Sequence, residues 1–247
     1  MGIANKIENL KSIYWFIFNY HNFKTKLINK YSLQNIKPFK FLDWHHGAFY
    51  FTGKLKEKKI FIKTDFLFNL LENENTAFQI MQKNNMDNSL LNVNIFSKEN
   101  NIIITDYANA IGFIDYMNSV DDSEKIKIIN KLIEIVLNLK ELKLIHRDIK
   151  LDNFLVLNGE LKIIDFLFCM GLYDNKNKFL ELSKQVKNSI NILEGMNKNN
   201  KPAKLLWDDM YSLSNILTEL QKDYKLNLTE QKKKIDCLVG KYTYKYE

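Results

Sequence analysis

The chain has 247 residues, 46% of them hydrophobic, and a formal net charge of +7. That length and apolar content suit one domain or two closely packed units with a real core, and they exclude global disorder. A basic balance favours polyanionic partners, yet the lysines are spread along the whole chain, which is the pattern of a solvated surface. No nucleic-acid partner is expected.

Two cysteines, Cys169 and Cys237, lie far apart without metal-ligand spacing. They argue against a zinc site or a disulfide framework and for a reducing, cytoplasmic compartment. Residues 1–30 read as one or two amphipathic helices, an N-terminal helical extension over 1–38. Their longest apolar run, Ile13 to Phe18, is too short to span a bilayer and lacks a signal-peptide layout. Lys6, Lys11, Lys24 and Lys26 flank it. Two readings follow: a helix packed on the domain, the commoner arrangement, and peripheral attachment to a membrane surface.

From Phe39 to Lys63, aromatic and β-branched residues alternate with polar ones, with breaks at Gly47 and Gly53-Lys54, which predicts strands joined by turns. Ile60-Phe61-Ile62-Lys63 would end the third. Leu67, Leu70, Leu71, Ala77, Phe78 and Met81 then recur at helical steps. Leu91 to Phe96 and Asn101 to Tyr107 read as two more strands. Asp121, with Glu124 three residues on, marks the N-terminus of a long helix whose stripe is Ile126, Ile129, Leu132, Ile133, Val136 and Leu139. Phe154–Leu157 and Leu161–Ile164 flank Asn158-Gly159, a strong hairpin signal. Two helices are predicted after it, Phe179 to Leu193 and Leu205 to Leu220.

Between the long helix and that hairpin stands Ile145-His146-Arg147-Asp148-Ile149-Lys150-Leu151-Asp152-Asn153, and the hairpin ends in Ile164-Asp165-Phe166. A His-Arg-Asp loop, an Asn five residues after its Asp, and a second Asp at a strand end suit phosphoryl transfer. One carboxylate, Asp148, orients a hydroxyl and accepts its proton. Asn153 and Asp165 hold the metal ions that bridge phosphates, and Lys150 neutralises charge on the transferred group. The plainer alternative is a polar loop around a buried Asp.

These residues resemble the eukaryotic-type protein kinases from about Phe39 to Leu220. His146 to Asn153 matches that family's catalytic loop at every signature position, including the Lys two residues after the Asp that is typical of Ser/Thr kinases. The resemblance implies an α+β, two-lobed protein-kinase-like fold, with a small β-rich lobe over 39–108 and a shortened helical lobe over 109–247. It implies Mg²⁺ and ATP as cofactor and substrate. Lys63 stands in the place of the third-strand lysine. Its expected partner is Glu74, which shares the helix face of Leu70, Ala77, Phe78 and Met81, whereas Glu72 falls off that face. Asp106, Tyr107 and Ala108 fall at the hinge that offers backbone groups to adenine, with Thr105 at the back of the pocket. Asp209 resembles the carboxylate that accepts hydrogen bonds from the catalytic-loop backbone. Asp208 competes for that role, and a plain helix N-terminal acid is the alternative.

The chain also departs from the family. Its glycine-rich loop is reduced to His45-His46-Gly47-Ala48-Phe49, which keeps Gly47 for a close approach to phosphate. Leu167 replaces a glycine after Asp165-Phe166 and disfavours positive φ there. No Ala-Pro-Glu appears between Asp165 and Asp209, and the chain stops soon after Leu220. A compact kinase of this kind is similar to bacterial kinases of lipopolysaccharide-core sugars. Three functions are therefore weighed. The favoured one is ATP-dependent phosphorylation of protein Ser/Thr, which Lys150 supports. The alternative is phosphorylation of a glycan or other small-molecule hydroxyl, supported by the short second lobe and by Lys176, Lys178, Lys184 and Lys187. The third is a non-catalytic pseudokinase.

Overall fold

The computed structural model describes residues 3–40, 48–66, 68–184, 186 and 188–246, with side chains from residue 13 onward. The chain is mixed α+β and divides into two compact units, Met1–Leu71 with Asn92–Ala108, and Glu72–Leu91 with Asn109–Glu247.

In the first unit α1 (Ile3–Tyr31) is one continuous helix. Five strands follow: β1 (Gln34–Pro38), β2 (Ala48–Leu55), β3 (Lys58–Asp65), β4 (Val93–Ser97) and β5 (Ile102–Asp106). They form an antiparallel sheet in the order β1-β2-β3-β5-β4. Side chains alternate across a strand. Phe49, Phe51, Ile60, Ile62, Ile102 and Ile104 meet Phe23 and Leu27 of α1 in one core, and Trp15 and Tyr20 pack against it. Trp15 lies 4.6 Å from Phe49, and Tyr20 stacks on Phe51 at 5.6 Å. α1 and β1 are thus integral layers of this unit and not an extension beside it. The expected strand ending at Lys63 runs on to Asp65.

The second unit holds α2 (Leu71–Lys83), β6 (Ile111–Gly112), α3 (Phe113–Ser119), α4 (Asp122–Glu141), β7 (Leu144–Ile145), β8 (Phe154–Leu157), β9 (Glu160–Ile163), β10 (Met170–Gly171), α5 (Ser189–Gly195), β11 (Leu206–Asp208), α6 (Asp209–Tyr224), α7 (Thr229–Asp236) and β12 (Thr243–Lys245). The helix expected after β3 belongs here, so the boundary drawn at residue 108 does not capture it. Asp121 caps α4 by accepting from the Glu124 N–H at 2.9 Å. The β8–β9 hairpin turns at Asn158 and Gly159, both in the left-handed region. The Gly171 backbone approaches Asn175 so closely that a Cβ would sit 2.2 Å from its carbonyl oxygen.

Two helical expectations need correction. Residues 180–183 are not helical, and α5 starts only at Ser189. The cause lies in side chains that take up this backbone's polar groups. The Asn73 amide donates to the Leu180 carbonyl and accepts from the Leu180 N–H, both at 2.7 Å, and the Tyr246 hydroxyl donates to the Leu182 carbonyl. An extended segment satisfied in this way has nothing to gain from helical bonds. The stretch from Leu205 begins as strand β11, paired with β12, and turns helical only at Asp209. The chain after Leu220 also adds α7 and β12.

Leu27 is fully buried between α1 and the sheet. Leu27→Ala is expected to lower the unfolding free energy by about 2–5 kcal/mol, read from urea denaturation. A loss below about 0.5 kcal/mol, the size of an ordinary surface change, would show that α1 is not part of this core.

Candidate functional site

The 145–153 loop follows β7 and is held from below by a carboxylate. The Asp209 side chain accepts from the His146 N–H at 2.6 Å and from the Arg147 N–H at 3.1 Å. Asp208, the competitor, has a different task. It is the N-cap of α6, accepting from the Met210 and Tyr211 N–H groups, and it also accepts from the Gly240 N–H at 2.6 Å. The two adjacent acids therefore divide the roles of helix cap and loop anchor. Burial pushes the Asp209 carboxyl up to about 7, against the two backbone donors, which favour its charged form.

His146 is completely buried and packs on Phe166 at 4.6 Å. Its Nδ1 faces the Asp148 N–H at 3.3 Å and its Nε2 faces the Ile164 carbonyl at 3.1 Å. An N–H can only donate and a carbonyl can only accept, so the ring is neutral with its proton on Nε2. Burial, which lowers the imidazole from its ordinary value, acts in the same direction. Together with the Ile164 N–H donating to the Asn153 carbonyl, this bond stitches the end of the β8–β9 hairpin to the loop.

Asp148, Lys150 and Asn153 come together. The Lys150 amine donates to Asp148 Oδ2 at 2.7 Å, and Asn153 Nδ2 donates to the same oxygen at 3.1 Å and to the Asp148 carbonyl at 2.8 Å. Burial alone would lower the Lys150 amine, but the nearby carboxylates, Asp148 first among them, hold it above its ordinary value. Asp165 has φ +67°, a left-handed conformation that is uncommon for a residue with a side chain. Leu167 is buried and does not share it. Among the described residues no three His, Cys, Asp or Glu side chains gather as a metal-holding group.

Arg147 is also left-handed, at φ +68°, and fully buried. Its Nε donates to the Phe168 carbonyl at 2.6 Å, and its guanidinium meets both Glu181 oxygens at 3.0–3.2 Å. The Trp207 and Tyr244 rings flank it at 5.0 and 4.9 Å, and the Tyr244 hydroxyl donates to Glu181. Asn73 reaches the Leu167 carbonyl as well as Leu180. Glu181, Asn73, Trp207 and Tyr244 were not among the expected site residues. Each acts across 34 or more residues of sequence, and no local pattern marks such a partner.

No protein-family model matches the chain, and no curated protein matches it.

Glu74 is buried on α2 while Glu72 is only half-buried, the asymmetry expected from the helix face. In the first unit Lys63 is buried on β3. It shares with Phe61, Ile103 and Thr105 the sheet face turned away from α1, and it lies opposite Ile103 in the ladder. The Thr105 hydroxyl is buried with no hydrogen-bond partner. Asp106 spends its carboxylate on Asn94 and Asn92, at 2.8 and 3.1 Å, and these bonds lower its pKa. Its backbone N–H donates to the Asn92 carbonyl at 3.0 Å. The Tyr107 N–H donates to the Lys59 carbonyl, and the Lys59 amine lies 3.4 Å over the Tyr107 ring; Ala108 follows. Gly47, with His45 and His46, lies outside the described residues.

Two outcomes follow from these buried charges. Glu181→Gln leaves the enclosed Arg147 guanidinium without its counter-charge and is expected to cost about 3–5 kcal/mol, whereas Tyr244→Phe, losing one hydrogen bond, costs about 1 kcal/mol. Equal losses in denaturant titrations would show that the Glu181 charge is immaterial.

Asp209 has a folded pKa of about 7, well above the unfolded carboxyl at about 3.9. Between those values the folded state binds the extra proton, so this group's contribution is fully present below the lower value and is lost as pH rises through the upper one. Wild type should lose up to about 1.4 kcal/mol per pH unit relative to Asp209→Asn within that window. Parallel stability–pH curves would refute the assignment.

Proposed function

We propose that the protein is an ATP-dependent phosphotransferase of two-lobed, protein-kinase-like fold that moves the γ-phosphoryl group to a hydroxyl, with protein Ser/Thr as the favoured acceptor. One observation carries this: the Asp148 carboxylate is fixed by both Lys150 and Asn153 on a loop whose backbone is anchored by Asp209. A buried, doubly held carboxylate is pre-organised to orient a hydroxyl and take its proton.

In the proposed reaction the acceptor oxygen attacks the γ-phosphorus as its proton passes to Asp148. The bond from that phosphorus to the β-bridging oxygen breaks and ADP leaves. The Lys150 amine, charged and adjacent, offsets negative charge on the transferred group. Asn153 commits its amide nitrogen to Asp148, which turns the amide oxygen into the group that would face a cation. Asn153 and Asp165 would hold Mg²⁺. Magnesium is bound by one or two protein oxygens plus substrate phosphates, and the Asn153 amide oxygen with the Asp165 carboxylate is a donor set of that kind. A bound metal would neutralise phosphate charge. The unpartnered Thr105 hydroxyl beside the Asp106–Ala108 backbone fits a polar ligand edge such as adenine. Lys63 and Glu74, both buried, are assigned by the resemblance to phosphate positioning.

The protein acceptor is favoured for two reasons. Lys150 sits directly on Asp148, as the Ser/Thr resemblance implies. The chain after Asp165 is ordered by the β10–β7 pair, by Asn73 and by Arg147. The lysine-bearing helix that argued for an anionic glycan acceptor is not formed over 180–183.

The test is transfer of labelled γ-phosphate from ATP into fractionated lysate, with protein, glycolipid and small molecules separated. Label is expected in protein Ser/Thr. Label confined to glycolipid or soluble sugar would move the assignment to a glycan kinase. Asp148→Asn should retain nucleotide binding and lower kcat by a factor of about 10² or more. Asp165→Ala should weaken Mg-dependent nucleotide binding by calorimetry and abolish transfer. Wild-type turnover in either variant would refute the role assigned to that residue.

A further inference from the structure

Helix α1 buries one face and leaves another uncovered. Phe23 and Leu27 enter the core, while Ile13, Tyr14, Ile17 and Phe18 are 41, 63, 65 and 61% exposed and Ile28 is 39% exposed. At 3.6 residues per turn these five side chains fall within an arc of about 140° on the outer surface. The Tyr14 and Phe18 rings lie 4.5 Å apart, which makes the stripe continuous in its N-terminal half. Single exposed apolar residues are ordinary, but five on one face of one helix are not.

The surrounding charge identifies the occupant. Residues 1–31 contain Lys6, Lys11, Lys24, Lys26 and Lys30 against the single acid Glu8, and of these Lys30 is paired with Glu99 at 2.5 Å. An apolar and aromatic stripe beside lysines is the composition of a helix lying in the plane of a bilayer, with its stripe among the acyl chains and its amines at the headgroups. No helix among the described residues is long and apolar enough to cross a membrane, so α1 would lie on the surface and not span it. A second copy of the chain suits the stripe less well, because two such faces would bring like-charged lysine flanks together. We infer that α1 docks this protein onto the surface of a bilayer containing anionic lipid, through Ile13, Tyr14, Ile17, Phe18 and Ile28.

The full chain is to be sedimented with vesicles of phosphatidylcholine alone and with vesicles also containing phosphatidylglycerol, and its self-association measured by analytical ultracentrifugation. Binding is expected to the anionic vesicles and to weaken with salt. The double substitution Ile17→Asp with Phe18→Asp should weaken it by at least about tenfold. The unfolding temperature should not change, since both side chains are mostly exposed. Lys24→Ala should weaken it by up to about fivefold. Absence of wild-type binding to anionic vesicles, or equal binding by the double variant, would overturn the inference. So would a dimer that the double variant abolishes while vesicles capture neither protein. Vesicle binding is read without phosphoryl transfer, so the outcome is independent of the proposed chemistry.

Discussion

The second unit turns on one buried carboxylate. Asp209 accepts two consecutive backbone N–H groups, from His146 and Arg147, at a point where Arg147 is left-handed and cannot continue a strand ladder. A turn of that shape leaves its donors without backbone partners, and unmet donors in a dry interior are costly. Asp209 meets both from the first turn of α6, where a carboxylate is also favoured by the helix dipole. The position of the loop thus depends on α6, and the position of Asp148 depends on the loop.

The same left-handed residue launches the second constraint. Its side chain is aimed into a fully enclosed pocket in which Glu181, the Phe168 carbonyl and two aromatic faces satisfy the guanidinium. Trp207 contributes to two cations at once, since the Lys201 amine lies 4.7 Å over its ring while donating to the Leu193 and Glu194 carbonyls at the end of α5. Loop 145–153, the segment after Asp165, α5 and the β11–β12 pair are therefore tied by one polar network, and displacement of any member strands a buried charge or carbonyl.

Local chemistry was legible in the sequence. Asn158-Gly159 supplies the positive φ that a tight hairpin requires, and Asp121 supplies an acceptor for the Glu124 N–H. The face occupied by Glu74 followed from helical spacing. What failed was non-local. The apolar steps from Phe179 to Leu193 have a helical period, yet at 180–182 the backbone is claimed by Asn73 and Tyr246, more than sixty residues away on either side. Glu181 likewise looks like a surface acid until the buried Arg147 is placed against it. The affiliation of α1 was equally hidden, because an amphipathic helix declares that it has an apolar face but not which sheet covers it. Its excess of apolar residues was visible, but their division into a buried face and an outer stripe appeared only with Phe23 and Leu27 in the core.

The network around Arg147 also bears on how the segment after Asp165 keeps its shape. A buried guanidinium must be balanced, and a chain that relied on an added anion would be ordered only when that anion was present. Here Glu181 provides the balancing charge from within the segment itself, and Tyr244 and the Leu182 N–H hold its oxygens in place. Asn73 clamps the next residue back, Leu180, through both of its amide groups. The described part of the segment is thus held by interactions encoded in the chain.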